Sequence, residues 1–216
     1  MKNELLIRIL SSITIIPIVL FFIIKGSFFF IFFLIVFFLI TSIEWFQMNK
    51  NIIYKYIGSL FLLISCLSAF YIRGDSVEEL NFFLFIILIC VLTDIGGFVF
   101  GKIFKGPKLT KISPNKTYSG MIGGYLLSII VLFVIFSNEN YELITKFTEL
   151  GEIKFLILVF LISSISQVGD LIISYFKRQS KIKNTGKIIP GHGGLLDRVD
   201  GIIFAIPFSY LLLKFI

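Results

Sequence analysis

Residues 27–46 read SFFFIFFLIVFFLITSIEWF. This stretch holds one ionisable side chain, Glu44, and neither proline nor glycine. An α-helix needs about 20 apolar residues to cross the hydrocarbon core of a bilayer. The stretch has that length and that character, so it reads as a transmembrane helix. Six further stretches of similar character flank it, at 5–24, 52–72, 80–101, 117–136, 153–176 and 201–216. The first has a basic flank but no small-residue cleavage site, and a second span follows at once, so it reads as uncleaved. The sequence predicts an all-α, polytopic integral membrane helix bundle of about seven transmembrane helices, forming a single domain over 1–216.

Composition supports this reading. Of 216 residues, 57% are hydrophobic and 15% charged, and 27 are Phe. A soluble domain carries about 25% charged residues. A water-soluble fold of this size could not hide so much apolar surface. Cys66 and Cys90 both lie in apolar runs without C-x-x-C spacing, which predicts buried free thiols rather than a disulfide or zinc site.

The net charge of +7 fits a membrane protein with basic cytoplasmic loops and needs no nucleic-acid partner. With the N-terminus inside, 15 of the 20 Lys and Arg residues fall in cytoplasmic loops. The outer loops are acidic instead, with Asp75, Glu78, Glu79, Glu139, Glu142, Glu149 and Glu152. The expected orientation is N-in, C-out. Two G-x-x-x-G patterns, Gly97/Gly101 and Gly120/Gly124, allow close helix approach and read as packing features.

Charges in spans are costly and mark function. Glu44, Asp94, Asp170, Asp197 and Asp200 all fall toward the cytoplasmic side in this topology, where the basic loops 102–116 and 177–200 also emerge. Asp197 and Asp200, at i and i+3, share a helical face and repel unless a cation lies between them. Mg²⁺ accepts such oxygens and keeps positions for phosphates. Asp170 offers a third oxygen ligand. A pair of solvated acids at a helix start satisfies the same spacing. The stretch 187–200, KIIPGHGGLLDRVD, sets His192 among Gly191, Gly193 and Gly194, whose backbone N–H groups can converge on an anion. Lys177, Arg178, Lys183 and Arg198 add positive charge there. In the other basic loop, Ser113, Lys116 and Thr117 are of types that hold a triphosphate, although no P-loop is present. A plain polybasic cytoplasmic loop accounts for these too. With one histidine, nucleophilic acyl chemistry is poorly supported, whereas phosphoryl or nucleotidyl transfer can rest on positioning and charge.

At these residues the chain resembles the phosphatidate cytidylyltransferases, or CDP-diacylglycerol synthases. Their signature runs S-x-x-K-R, four residues, K-D-x-G, then P-x-H-G-G-x-x-D-R-x-D. Ser174, Lys177, Arg178, Lys183, Gly186, Pro190, His192, Gly193, Gly194, Asp197, Arg198 and Asp200 stand at matching spacing. Gly169-Asp170-Leu171 matches, as does the block with Asp94, Gly96, Gly101, Ser113, Pro114, Lys116 and Thr117. The likeness covers about 93–124 and 163–207, so 93–216 reads as the catalytic part and 5–92 as N-terminal spans. Asn184 departs from the family's Asp, and Ile173 stands where many members have Glu.

The resemblance implies that CTP and phosphatidate give CDP-diacylglycerol and pyrophosphate. It implies Asp170, Asp197 and Asp200 as Mg²⁺ ligands, with a second cation as an option. Lys183, His192 and Arg198 join these acids as catalytic candidates. Ser113, Lys116, Thr117, Lys177, Arg178, Gly193, Gly194 and Asp94 are candidate nucleotide or lipid-phosphate contacts. It further implies a bacterial inner membrane, a cytoplasmic active site, contact with membrane lipid and room for a homodimer. The alternatives are a CTP-dependent polyprenol or phytol kinase, a transporter, and a non-catalytic membrane protein.

Overall fold

A computed structural model describes residues 2–137, 145–191 and 193–213. The described residues form eight helices: α1 (Lys2–Lys25), α2 (Ser27–Met48), α3 (Ile52–Arg73), α4 (Val77–Phe104), α5 (Tyr118–Ser137), α6 (Thr145–Gln179), α7 (Leu196–Val199) and α8 (Ile202–Leu212). No strand occurs among them; the only pairings are isolated bridges, Lys108 with Thr117 and Ile189 with Gly193. Four helical segments are long and apolar enough to cross a membrane, namely Ser27–Met48, Ile52–Arg73, Val77–Phe104 and Ile153–Gln179. Leu10–Lys25, Tyr118–Val134 and Ile202–Leu212 are apolar but shorter. The described residues thus form the all-helical apolar bundle the sequence predicts, with four helices of spanning length where about seven spans are expected, and a single-turn helix, α7, carries Asp197 and Arg198. α6 breaks at Gly151, where φ is +75°, so the apolar part begins near the expected residue 153.

The bundle wears its large apolar side chains outside as well as inside. Phe28, Phe98 and Ile153 are 74%, 69% and 75% exposed. Water would penalise such a surface, whereas lipid does not. The main core draws on α1 to α6 and α8, including Phe30, Phe83, Ile86, Ile89, Leu132, Val159 and Ile162. A second apolar cluster, with Trp45, Met48, Leu62, Ile173, Leu196 and Ile203, lies at the end carrying the signature loop. Several buried hydroxyls in the helices bond to carbonyls of the preceding turn. Thr41 Oγ1 donates to Phe37 O at 2.8 Å and Ser209 Oγ to Ala205 O at 2.8 Å. Both cysteines are buried and free, as expected.

α1 and α2 join through Gly26, whose φ is +66°. A side chain at residue 26 would collide with the Arg73 guanidinium. That guanidinium caps α1: Nε donates to Ile23 O and Nη2 to Ile24 O, both at 2.9 Å. Carbonyls at a helix C-terminus otherwise lack partners, a serious cost away from water. α4 starts with a reciprocal capping box between Ser76 and Glu79.

α4 and α5 approach closely because of glycine. A Cβ on Gly96 would collide with Gly123 O, and one on Gly120 with Gly97 O. The G-x-x-x-G residues therefore serve packing, as their spacing suggests. Gly120→Leu is expected to force α4 and α5 apart and cost about 1–3 kcal/mol or more. A thermal melt in detergent checks this, and an unchanged midpoint would contradict it.

Candidate active site

Two loops and three helix ends meet at one end of the bundle. The first loop, 105–117, is held by Leu109 N–H donating to Lys116 O at 2.8 Å and by Lys116 N–H donating to Ser113 O at 3.0 Å. Thr117 then caps α5, its Oγ1 accepting from Gly120 N at 3.1 Å. The second loop, 180–195, contains a tight turn in which Ile189 and Gly193 exchange backbone hydrogen bonds of 2.9 and 3.1 Å. Gly191 and Gly193 take φ of +75° and +97° there, a region that suits glycine. His192 lies outside the described residues. Ser180 Oγ donates to Met48 O, and Arg178 Nε donates to Ile112 O at 3.4 Å. These bonds tie the end of α6 to α2 and to the first loop. Both basic loops thus share one end of the fold, as the topology from sequence requires.

The acids there fall into two groups. Asp94 of α4, Asp170 of α6 and Asp200 are within electrostatic reach of one another. Lys116 makes an ion pair with Asp170 Oδ2. Ser174 Oγ donates to Asp170 Oδ1 at 3.3 Å. Burial, then the Asp170 carboxylate, pushes the Asp200 carboxyl well above the usual carboxylate range, and Lys177 opposes this. Two acids that disfavour each other's charge mark a place where a cation gains. A cavity of about 320 Å³ opens beside them, lined in part by Asp94, Gly97, Ser113, Lys116, Thr117 and Asp170. Gln167 also lines it, and its Nε2 is buried without a hydrogen-bond partner. A buried amide donor without an acceptor is costly. A ligand with phosphate or carbonyl oxygens would satisfy it.

The second group holds the signature loop. Asp197 accepts from Lys177 Nζ at 2.9 Å on Oδ1, and from Thr185 N at 2.8 Å and Gly194 N at 3.0 Å on Oδ2. Gly193 and Gly194 were expected to aim their N–H groups at an outside anion. Here Gly193 N donates to Ile189 O, and the anion that Gly194 meets is the Asp197 carboxylate. Asp197 and Asp200 are also served differently. Lys177 stands between them, bonding Asp197 and acting on Asp200.

Beneath the loop lies Glu44 of α2, only 1% exposed. Its Oε1 accepts from Leu195 N at 2.9 Å, and its Oε2 from Leu196 N at 2.8 Å and Thr185 Oγ1 at 3.0 Å. A Cβ on Gly186 or Gly194 would collide with this carboxylate, so glycine at both positions makes room for it. The sequence flags Glu44 as a costly charge in a span. Its partners, more than 140 residues away, carried no signal of their own.

Lys183 and Asn184 are exposed on the same loop. Asn184 lines a second polar cavity of about 280 Å³ with Lys187, Pro190 and Gly193. Arg198 is exposed on α7 and faces an apolar cavity rather than the acid cluster's pocket. Ile173 is 2% exposed in the second apolar cluster and serves packing here.

Comparison with known proteins gives this geometry a family. The cytidylyltransferase family model matches residues 50–216. The chain belongs to the cytidylyltransferase family. Among similar proteins, the phosphatidate cytidylyltransferase of Rickettsia felis is 34% identical over 217 residues, covering 98% of this chain and 93% of its own length. The one from Rickettsia prowazekii is 34% identical, with 95% and 90% covered. That of Staphylococcus saprophyticus is 36% identical over 167 residues, covering 74% of this chain and 61% of its own. The family match begins after Glu44, so it includes the two loops and the acids of α4, α6 and α7 but not the carboxylate beneath them.

Proposed function

We propose that this chain is an Mg²⁺-dependent nucleotidyltransferase that converts CTP and phosphatidate to CDP-diacylglycerol and pyrophosphate. The single observation that carries this reading is the grouping of Asp94, Asp170 and Asp200 against Lys116 and a cavity of about 320 Å³, at the polar end of a membrane bundle. Relatives bearing the name phosphatidate cytidylyltransferase over nearly the whole chain support it.

The donor set suits Mg²⁺. Among the described residues no three Asp, Glu, Cys or His side chains are gathered into a metal-holding group. Mg²⁺ needs none, being held commonly by one or two carboxylates plus substrate phosphates. Asp170 and Asp200 would supply those carboxylates, with Asp94 beside them. The ion would neutralise charge on attacking and leaving oxygens. Asp197, the third ligand the resemblance implies, would join them through Oδ1, which meets Lys177, while its Oδ2 accepts from the loop amides.

A phosphatidate oxygen attacks the α-phosphorus of CTP in line. The bond from that phosphorus to the bridging oxygen breaks, and pyrophosphate departs. The attacking oxygen is already ionised near neutrality, so no general base is required. Lys116 and Lys177, held by Asp170 and Asp197, offset charge on the phosphates. Gln167 donates to a nucleotide oxygen. Lys183, His192 and Arg198 serve the lipid phosphate side. The loops face the cytoplasm, with seven crossings, the N-terminus inside and the C-terminus outside. The positive charge of those loops supports this orientation, as does the need to take CTP from the cytoplasm.

Purified protein in detergent with CTP, phosphatidate and Mg²⁺ tests the reading. Pyrophosphate and CDP-diacylglycerol should appear in equal amounts, and chelation of the metal should abolish both. Release of CDP instead would contradict it.

A further inference from the structure

Gln167 lies on α6 three residues before Asp170. The two share a helical face and stand about 4.5 Å apart along the axis. Asp170 is nearer the loops, and Gln167 is one turn deeper in the bundle. Both line the polar cavity of about 320 Å³, with Thr93 and Asp94 of α4 and Lys116 of the first loop. The amide is wedged where α4, α5 and α6 meet. A Cβ on Gly124 of α5 would stand 2.9 Å from Thr93 O and 3.4 Å from Gln167 Nε2.

Neighbouring groups in the cavity already have partners. Thr93 Oγ1 donates to Ile89 O and meets Ser163 Oγ, both at 2.8 Å. Thr117 Oγ1 accepts from Gly120 N, and Lys116 pairs with Asp170. Gln167 Nε2 is buried and has no hydrogen-bond partner. An apolar side chain of similar size would avoid that cost, so the position suits an acceptor that arrives with the substrate. A neutral donor also fits better here than a cation. Lys116 is captured by Asp170, and a cation at 167 would meet the same acids. The amide stays free for a ligand.

We propose that Gln167 is a catalytic residue whose Nε2 donates to a non-bridging oxygen on the α-phosphorus of CTP and holds it through the transfer. This rests on the proposed function and names the atom that the amide serves. The phosphatidate oxygen bonds to the α-phosphorus while the bond to the α,β-bridging oxygen breaks, its electron pair leaving with pyrophosphate. Gln167 neither gains nor loses a proton. A triphosphate entering past the loops leaves its β- and γ-phosphates beside Lys116, and the reacting phosphorus lies innermost, level with the amide. A donor fixed by packing on three helices stabilises charge there without reorganising.

Gln167→Leu removes the donor. With dioleoyl phosphatidate and Mg²⁺ it is expected to lower kcat about a hundredfold, with the KM for CTP within about twofold of wild type. Its melting midpoint without nucleotide should match or exceed the wild-type value, since no bond is lost. CTP with sulfur in place of one non-bridging α-oxygen, as each of its two diastereomers, identifies the atom. Where the sulfur faces Gln167 the wild type already loses the bond, because sulfur is the weaker acceptor, and Gln167→Leu should cost little more. With the other diastereomer the full cost should remain. Gln167→Met repeats the series if Gln167→Leu does not fold. Equal costs with CTP and both sulfur forms, a change in KM alone, or a midpoint that falls with activity overturns the assignment and leaves the proposed function standing. A wild-type protein that makes no CDP-diacylglycerol from CTP overturns both.

Discussion

Asp200→Asn is expected to cut turnover about a hundredfold or more while leaving the protein at least as resistant to heat. The two effects move apart for one reason. In the absence of a cation, the Asp200 carboxylate sits among Asp170 and Asp94, with burial and Asp170 opposing its charge. Asn removes that conflict and keeps an oxygen for Gly201 N, which donates to Asp200 Oδ1 at 3.1 Å. The catalytic cost comes from losing a charged oxygen for the Mg²⁺ ion. Mg²⁺ with CTP should then raise the melting midpoint of the wild type, since binding stabilises by mass action. The variant should show a smaller rise. Turnover assays and melts with and without Mg²⁺ and CTP check this. Wild-type turnover in the variant would remove Asp200 from the site, and a midpoint that fell with activity would make its role structural.

Glu44→Ala is expected to have the largest effect on stability of any single change at this end of the bundle. It strips the acceptor from two backbone N–H groups and a hydroxyl. Each buried donor left unpaired costs about 1–3 kcal/mol, against a total stability of about 5–15 kcal/mol. The 180–195 loop and α7, which carries Asp197 and Arg198, should loosen, and turnover should fall with them. Glu44→Gln keeps a carbonyl oxygen but turns an amide toward an N–H donor, so it should fall between wild type and Ala. Proteolysis of the 184–196 region and a thermal melt read the loop directly. A Glu44→Ala protein that melts and turns over like wild type would refute the loop-holding role.

Helices were the most legible part of this chain. Apolar length alone marks α1 to α6 and α8, because a bilayer tolerates few other patterns. The acid-bearing helices and basic loops were also legible, since charge is rare in such a sequence and each instance stands out. Pairwise roles were not. Asp197 and Asp200 look equivalent at i and i+3, yet one bonds Lys177 and two loop amides while the other faces Asp170. That split follows from where α6 and the 180–195 turn lie, which local spacing does not encode. The glycines of the signature looked like an anion cradle. Gly194 makes room for Glu44, and its amide serves Asp197. Before residue 93 the sequence marks Glu44 as a costly acid but not what it holds; α2 uses it to seat the loop, and α1 to α3 form most of the apolar cavity.

Whether the polar end of this bundle transfers a nucleotidyl or a phosphoryl group is settled by following the label from CTP. CTP carrying radioactive phosphorus at the α position, incubated with phosphatidate, Mg²⁺ and the purified protein, should place its label in the lipid. CTP labelled at the γ position should place it in pyrophosphate and leave the lipid cold. Label moving from the γ position into lipid would contradict the account and make the protein a lipid kinase.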